Sequence, residues 1–180
     1  LLPVGAYGGT ANDVFVAGDH TYVASERSGL IVLAFSGPDP AVHIGRLELP
    51  FLAVSVFVSG DLAYVSGTGP GWASCDSVGV LAIVDVSDPS NPEHLSTYSA
   101  GEGGAPAVFA ESGIVYVAKG WSFSVLDVSD PKAPEEIGSA IAQSWSGFFA
   151  LQVVDGYAFV AGSKGTLTII DVSDPGDPTI

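Results

Sequence analysis

The chain has 180 residues, 47% of them hydrophobic, with 20 Asp and Glu against 5 Lys and Arg and a formal net charge of −15. That hydrophobic content excludes a disordered chain, and the acidity makes phosphate backbones and anionic lipid poor partners, so neither nucleic acid nor membrane insertion is expected. No apolar run reaches the ~18 residues of a membrane span, and the single cysteine, Cys75, rules out an internal disulfide.

The first element in chain order is LPVGAYG, residues 2–8, which reads as a strand standing ahead of a series of copies. Copy one covers about 12–49, with TYVAS as a second strand and LIVLAFSGPDPAVHIGRL from Leu30 as a worn third strand, turn and fourth strand. Copy two covers about 53–100 and is the cleanest. AVSVFVSG, the turn Gly60-Asp61, LAYVSG, a long insertion, GVLAIVDV, the turn SDPSNP and HLSTYSA follow one another. Copy three covers about 106–142, with VYVAK and FSVLDVSDPKAP, and copy four about 150–180, with AFVAG and LTIIDVSDPGDP. Asp85, Asp127 and Asp171 stand in register at intervals of 42 and 44 residues, with Ala34 in their place in copy one. Val, Ile, Tyr and Phe favour strands, while Gly, Pro, Asp and Ser interrupt them. Four short strands per copy of this length predict an all-β chain, a β-propeller of four-stranded antiparallel blades in one domain. Copy four ends after its third strand and turn, and residues 2–8 look like a fourth strand. The expectation is therefore that the N-terminal strand pairs with Thr166 to Val172, closing the ring and hiding a free edge. A start at Leu1 and the absence of Met point to a processed chain or a piece of a longer one.

The segments VDVSDPSNP, LDVSDPKAP and IDVSDPGDP resemble the LVIVD-repeat family, whose hallmark is an apolar strand running into Asp-Val-Ser-Asp-Pro with a further Pro three residues on. The resemblance spans nearly the whole chain. It implies a β-propeller and an extracellular or cell-surface location, in proteins of bacteria and archaea, and it implies little about activity. Copy one departs from the pattern at Phe35 to Pro38.

Propeller topology sorts the connections onto two faces. One carries the repetitive Asp-Pro turns. Their Asp and Ser side chains are expected to cap their own backbone, and Asp85, Asp127 and Asp171 to be structural. These carboxylates lie on different blades, whereas a calcium site needs six to eight converging oxygens. His20, His43 and His94 are likewise too scattered for zinc, so no metal and no cofactor is expected. The other face carries the irregular loops and every tryptophan. Candidate ligand or partner residues there are Trp72, Asp76, Glu102, Lys119, Trp121 and Trp145, because loops on a rigid scaffold carry recognition and tryptophans anchor partners. Glu26, Arg27 and Lys164 fall on the same face.

No P-loop, GxSxG elbow or dinucleotide fingerprint is present, so no catalytic residue is named and no enzyme is expected. The expected function is a non-catalytic secreted or cell-surface module that binds a protein or assembles with itself. A glycan-binding propeller using the loop tryptophans is the alternative, and a fragment of a larger propeller hydrolase or lyase the second alternative.

Overall fold

A computed structural model of the chain describes residues 8–35, 41–69, 78–104, 107–120, 122–141 and 147–180. They form four antiparallel sheets, each a simple meander. Sheet 1 consists of β1 (Asp13–Ala17), β2 (His20–Ser25), β3 (Gly29–Ala34) and β4 (Val42–Leu47). Sheet 2 holds β5 (Leu52–Ser59), β6 (Leu62–Thr68), β7 (Val78–Asp85) and β8 (Glu93–Glu102). Sheet 3 holds β9 (Ala107–Glu111), β10 (Ile114–Lys119), β11 (Ser122–Asp127) and β12 (Glu135–Ile141). Sheet 4 holds β13 (Phe148–Val154), β14 (Tyr157–Gly162) and β15 (Thr166–Asp171). The fold is a β-propeller, with one sheet per sequence copy. Sheet 4 has three strands among the described residues, and the expected closing strand, residues 2–8, lies outside them except for Gly8.

Each meander begins with a two-residue hairpin whose chemistry is local. Ser112-Gly113 and Asp155-Gly156 both have positive φ at each residue (52° and 80°, 50° and 77°), the backbone that matches the right-handed twist of the flanking strands. A register shift recurs between the third and fourth strands, at Val32/Leu33, Ile83/Val84 and Val125/Leu126. It bends the outermost strand at the same place in three sheets.

β1, β5, β9 and β13 stand innermost, where β5 packs on β1 and β9, and β9 on β13. Because side chains alternate across a strand, each sheet has one side toward the preceding sheet and one toward the next. Leu30 and Val32 pack between sheets 1 and 2 with Val56, Val58 and Val84. Leu81 and Ile83 pack between sheets 2 and 3 with Val115, Val117 and Leu126. Phe123 and Val125 pack between sheets 3 and 4 with Val153, Val160 and Ile170. The inner strands add an aromatic series, Phe15 against Phe57 and Phe57 against Phe109, each with ring centroids 4.7 Å apart. The core is therefore three repeated joints between neighbouring sheets, with a smaller buried cluster of Val23, Ile31 and Leu33 on the outer side of sheet 1.

Candidate functional site

The Asp-Pro turns are built by short local hydrogen bonds. Asp85, Asp127 and Asp171 each accept, through Oδ1, the backbone N–H two residues on, from Ser87 (2.9 Å), Ser129 (2.8 Å) and Ser173 (2.9 Å). Asp88, Asp130 and Asp174 repeat the arrangement with Ser90, Lys132 and Gly176 at 3.0 Å. The serine hydrogen bonds hold the carboxyls of Asp85, Asp127 and Asp171 below the ordinary carboxylate range. Each turn also reaches across to the preceding sheet. Ser96 Oγ on β8 donates to the Pro131 carbonyl at 2.6 Å. At the equivalent positions of β4 and β12 stand Gly45 and Gly138, where an added Cβ would overlap the carbonyl oxygens of Pro89 and Pro175. The DVSDP turn is thus a latch between sheets, seated on a small residue beside the recurrent register shift.

The opposite face does gather the irregular connections. Gly103 lies against Gly120, and the Gly120 carbonyl accepts from the Phe148 N–H at 2.9 Å, so three connections meet. Of the six candidate residues, Trp72, Asp76, Trp121 and Trp145 lie outside the described residues. Glu102 is exposed at the end of β8. Lys119 is half-buried, its ammonium 3.9 Å from the Glu136 carboxylate. Glu136 also accepts from Tyr98 Oη and, at 3.1 Å, from Ser124 Oγ. Burial and the Glu136 contact push the Tyr98 hydroxyl up to about 12, and burial lowers the Lys119 ammonium against the opposing pull of Glu136. Tyr98 belongs to sheet 2 and the other three residues to sheet 3, so this polar cluster staples two sheets. Lys119 is engaged with its own chain, while Glu102 is open to solvent. A cavity of about 260 Å³ lies nearby between sheets 1 and 2, lined by Arg27, Leu49, Pro50, Phe51, Leu52, Thr68 and Gly69. Sequence reasoning placed Arg27 on this face but gave no sign of the cavity, which arises where the β4–β5 connection passes the end of β6.

The four innermost strands line one central cavity of about 480 Å³, with segments centred on Val14, Ser55, Val108 and Leu151. Its polar groups at sheet 1 are committed. Asp13 Oδ2 accepts from Ser55 Oγ (2.7 Å) and the Val56 N–H (3.0 Å), and Asn12 Nδ2 donates to the Ala53 carbonyl (2.8 Å). Among the described residues, no three His, Cys, Asp or Glu side chains are grouped to hold a metal ion.

The most distinctive surface belongs to the two end sheets. On sheet 4, the side that would face a following sheet presents Leu167 (64% exposed), Ile169 (49%) and Tyr157 (45%), with Val154 exposed beside them. Their counterparts by register, Leu81 and Ile83 in sheet 2 and Phe123 and Val125 in sheet 3, are fully buried. On sheet 1, the side that would face a preceding sheet is exposed only at β1, with Val14 (57%) and Val16 (65%), whereas Val23, Ile31 and Leu33 on the same side are buried. Sequence reasoning could not find these surfaces, because LTIIDV has the same pattern as the buried copies.

Two crystal structures of computationally designed proteins share this fold. Ika8 aligns with a TM-score of 0.66 at 9% identity, over 92% of this chain and 46% of that one. Ika4 aligns with a TM-score of 0.65 at 9% identity, over 93% of this chain and 94% of that one. The chain thus spans just under half the length of Ika8. No curated protein is similar enough to match the chain. The family model of the LVIVD repeat matches residues 8–39, 52–100, 102–141 and 150–180, one match for each sheet. With most of its length accounted for in this way, the chain belongs to the LVIVD-repeat family.

Proposed function

We propose that the chain is a non-catalytic interaction module of the cell surface or extracellular space, which binds a protein partner or assembles with its own copies. The observation that carries this reading is the apolar side of sheet 4, where Tyr157, Leu167 and Ile169 stand exposed in a chain otherwise rich in carboxylates. Contiguous exposed apolar surface rimmed by polar residues marks interaction sites. The extracellular setting rests on the acidity, which suits a cation-rich or saline medium, and on what the family resemblance implies. The polar groups described in the central cavity and in the Lys119–Glu136 cluster are engaged with each other, which favours binding over chemistry.

Hydroxyl-radical footprinting of the purified protein across a concentration series tests the proposal. Oxidation of Tyr157 and Leu167 should fall as a larger species appears in sedimentation velocity, while oxidation of exposed Val42 on the rim of sheet 1 stays constant. Unchanged oxidation of Tyr157 and Leu167, with a monomer at every concentration, would contradict it.

A further inference from the structure

We propose that the cavity between sheets 1 and 2 on the loop face binds a small organic carboxylate, with its apolar body against the β4–β5 connection and its carboxylate on the Arg27 guanidinium. This goes beyond the interaction-module reading and does not depend on it, because no residue of sheet 4 lines the cavity.

The lining divides by chemistry. Leu49, Pro50, Phe51 and Leu52 run consecutively along the connection and supply an apolar wall. Leu49 and Phe51 are anchored in the joint between the sheets, where they are buried with Leu30 and Val32. Arg27 completes the lining and is itself exposed. A volume of about 260 Å³ equals about nine waters at ~30 Å³ each, so it holds a molecule of about that many heavy atoms. A sugar fragment of that size carries more hydroxyls than the apolar wall can satisfy, and an unpaired polar group is costly to bury. An aromatic ring or a short branched chain meets no such cost.

The turn that carries Arg27 is fixed by its neighbours. The Ser28 N–H donates to the Ser25 carbonyl at 2.6 Å, and the Ala53 N–H of β5 donates to the Glu26 carbonyl at 2.9 Å. Gly29 lies so close to the connection that an added Cβ would overlap the Leu47 carbonyl oxygen. Glu26 keeps a positive φ of 28°, which a residue other than glycine holds only where its surroundings impose it. The turn is thus fastened to β5 one residue after Leu52, and Arg27 is placed against the wall of the cavity.

The Arg27 guanidinium is also uncommitted. Arg46 meets Glu48 at 3.0 Å and Lys119 stands 3.9 Å from Glu136, whereas Arg27 forms no ion pair or side-chain hydrogen bond among the described residues. A guanidinium presents a planar fork of donors that matches the two oxygens of a carboxylate. The net charge of −15 opposes any anion at long range, but that repulsion is screened beyond ~10 Å at 0.1 M salt, and contact at the fork is not.

An amide-resolved NMR titration with benzoate tests the site, with benzamide as a neutral probe of the same shape. Benzoate should shift the amide signals of Arg27, Leu52 and Gly69 and leave those of Gly18 and Gly60, in hairpins at the opposite face, unmoved. Its dissociation constant should lie at least tenfold below that of benzamide. Arg27→Gln should weaken benzoate at least tenfold and leave benzamide unchanged, with circular dichroism confirming the fold. Lys132→Gln removes the same charge from an exposed Asp-Pro turn and should leave benzoate binding unchanged. Should Arg27→Gln misfold, Arg27→Lys, which keeps the charge and loses the fork, should still weaken benzoate and spare benzamide.

Benzamide binding as tightly as benzoate overturns the carboxylate. Equal weakening by Arg27→Gln and Lys132→Gln overturns the site and leaves net charge alone. Unmoved signals at Leu52 and Gly69 with benzoate at its solubility limit overturn the ligand class. The sheet 4 surface stands or falls separately, by footprinting.

Discussion

The joint between sheets 2 and 3 and the outer side of sheet 4 are built from nearly the same residues in the same register. Only the first is covered. Leu81 and Ile83 are fully buried at the joint, and Leu167 (64%) and Ile169 (49%) exposed at the end, although LAIVDVSDP and LTIIDVSDP are nearly the same sequence. Burial in a stack of repeats is thus a property of the neighbour as much as of the repeat itself. The covered joint also carries polar fastenings. Ser96 donates to the Pro131 carbonyl, and Tyr98 meets Glu136.

The comparison breaks most visibly under truncation of its apolar residues. Ile83→Ala should cost about 2–5 kcal/mol, since a fully buried isoleucine leaves a cavity. Ile169→Ala should cost the monomer less than about 0.5 kcal/mol, as exposed substitutions do. Chemical denaturation of both variants checks this, and equal losses would mean the end side is covered in solution even at low concentration.

The latch can be tested next. Gly138→Val places a side chain where the Pro175 carbonyl sits, and should cost about 2–3 kcal/mol through forced displacement of backbone. Gly8→Val, at a glycine with open space around it, should be near neutral in the same melting experiment.

Tyr98→Phe should cost about 1–2 kcal/mol by removing a hydrogen bond to a charged acceptor. A pH profile identifies the cause. The folded state holds the Tyr98 hydroxyl up to about 12, above its unfolded value of about 10. Its contribution is therefore complete below pH of about 10 and is lost as pH rises from there toward the folded value. Wild type should lose alkaline stability that Tyr98→Phe has already lost, and parallel profiles would show that the contact carries no weight.

The smallest effect is expected from Asp127→Asn, which keeps an acceptor for the Ser129 N–H. Because folding lowers the Asp127 carboxyl, its contribution is present above the unfolded carboxylate range and is lost as pH falls through the folded value. The variant should differ least from wild type in strong acid. Melting that depends on calcium in wild type and not in the variant would instead make these turns a metal site.

The number of sheets, their strand order and the Gly60-Asp61 hairpin are legible in the sequence because alternation and turn chemistry are local. So is the cap that the Asp85 carboxylate places on the Ser87 N–H. The latch is not, since it depends on where the Pro89 and Pro175 carbonyls arrive beside Gly45 and Gly138. The sequence places Lys119 at the end of a strand, but its pairing with Glu136 on a strand two connections away is a tertiary fact. The exposed positions of sheets 1 and 4 are the least legible, because Val14 and Val56 have the same periodicity and differ only in what stands opposite.

The central claim is that the apolar side of sheet 4, at Tyr157, Leu167 and Ile169, is an interaction surface. Sedimentation equilibrium of the wild-type chain tests it most directly. A mass above the 18.3 kDa of one chain, returned to that value by Ile169→Asp, is the predicted result; a single-chain mass across the whole concentration range would contradict it.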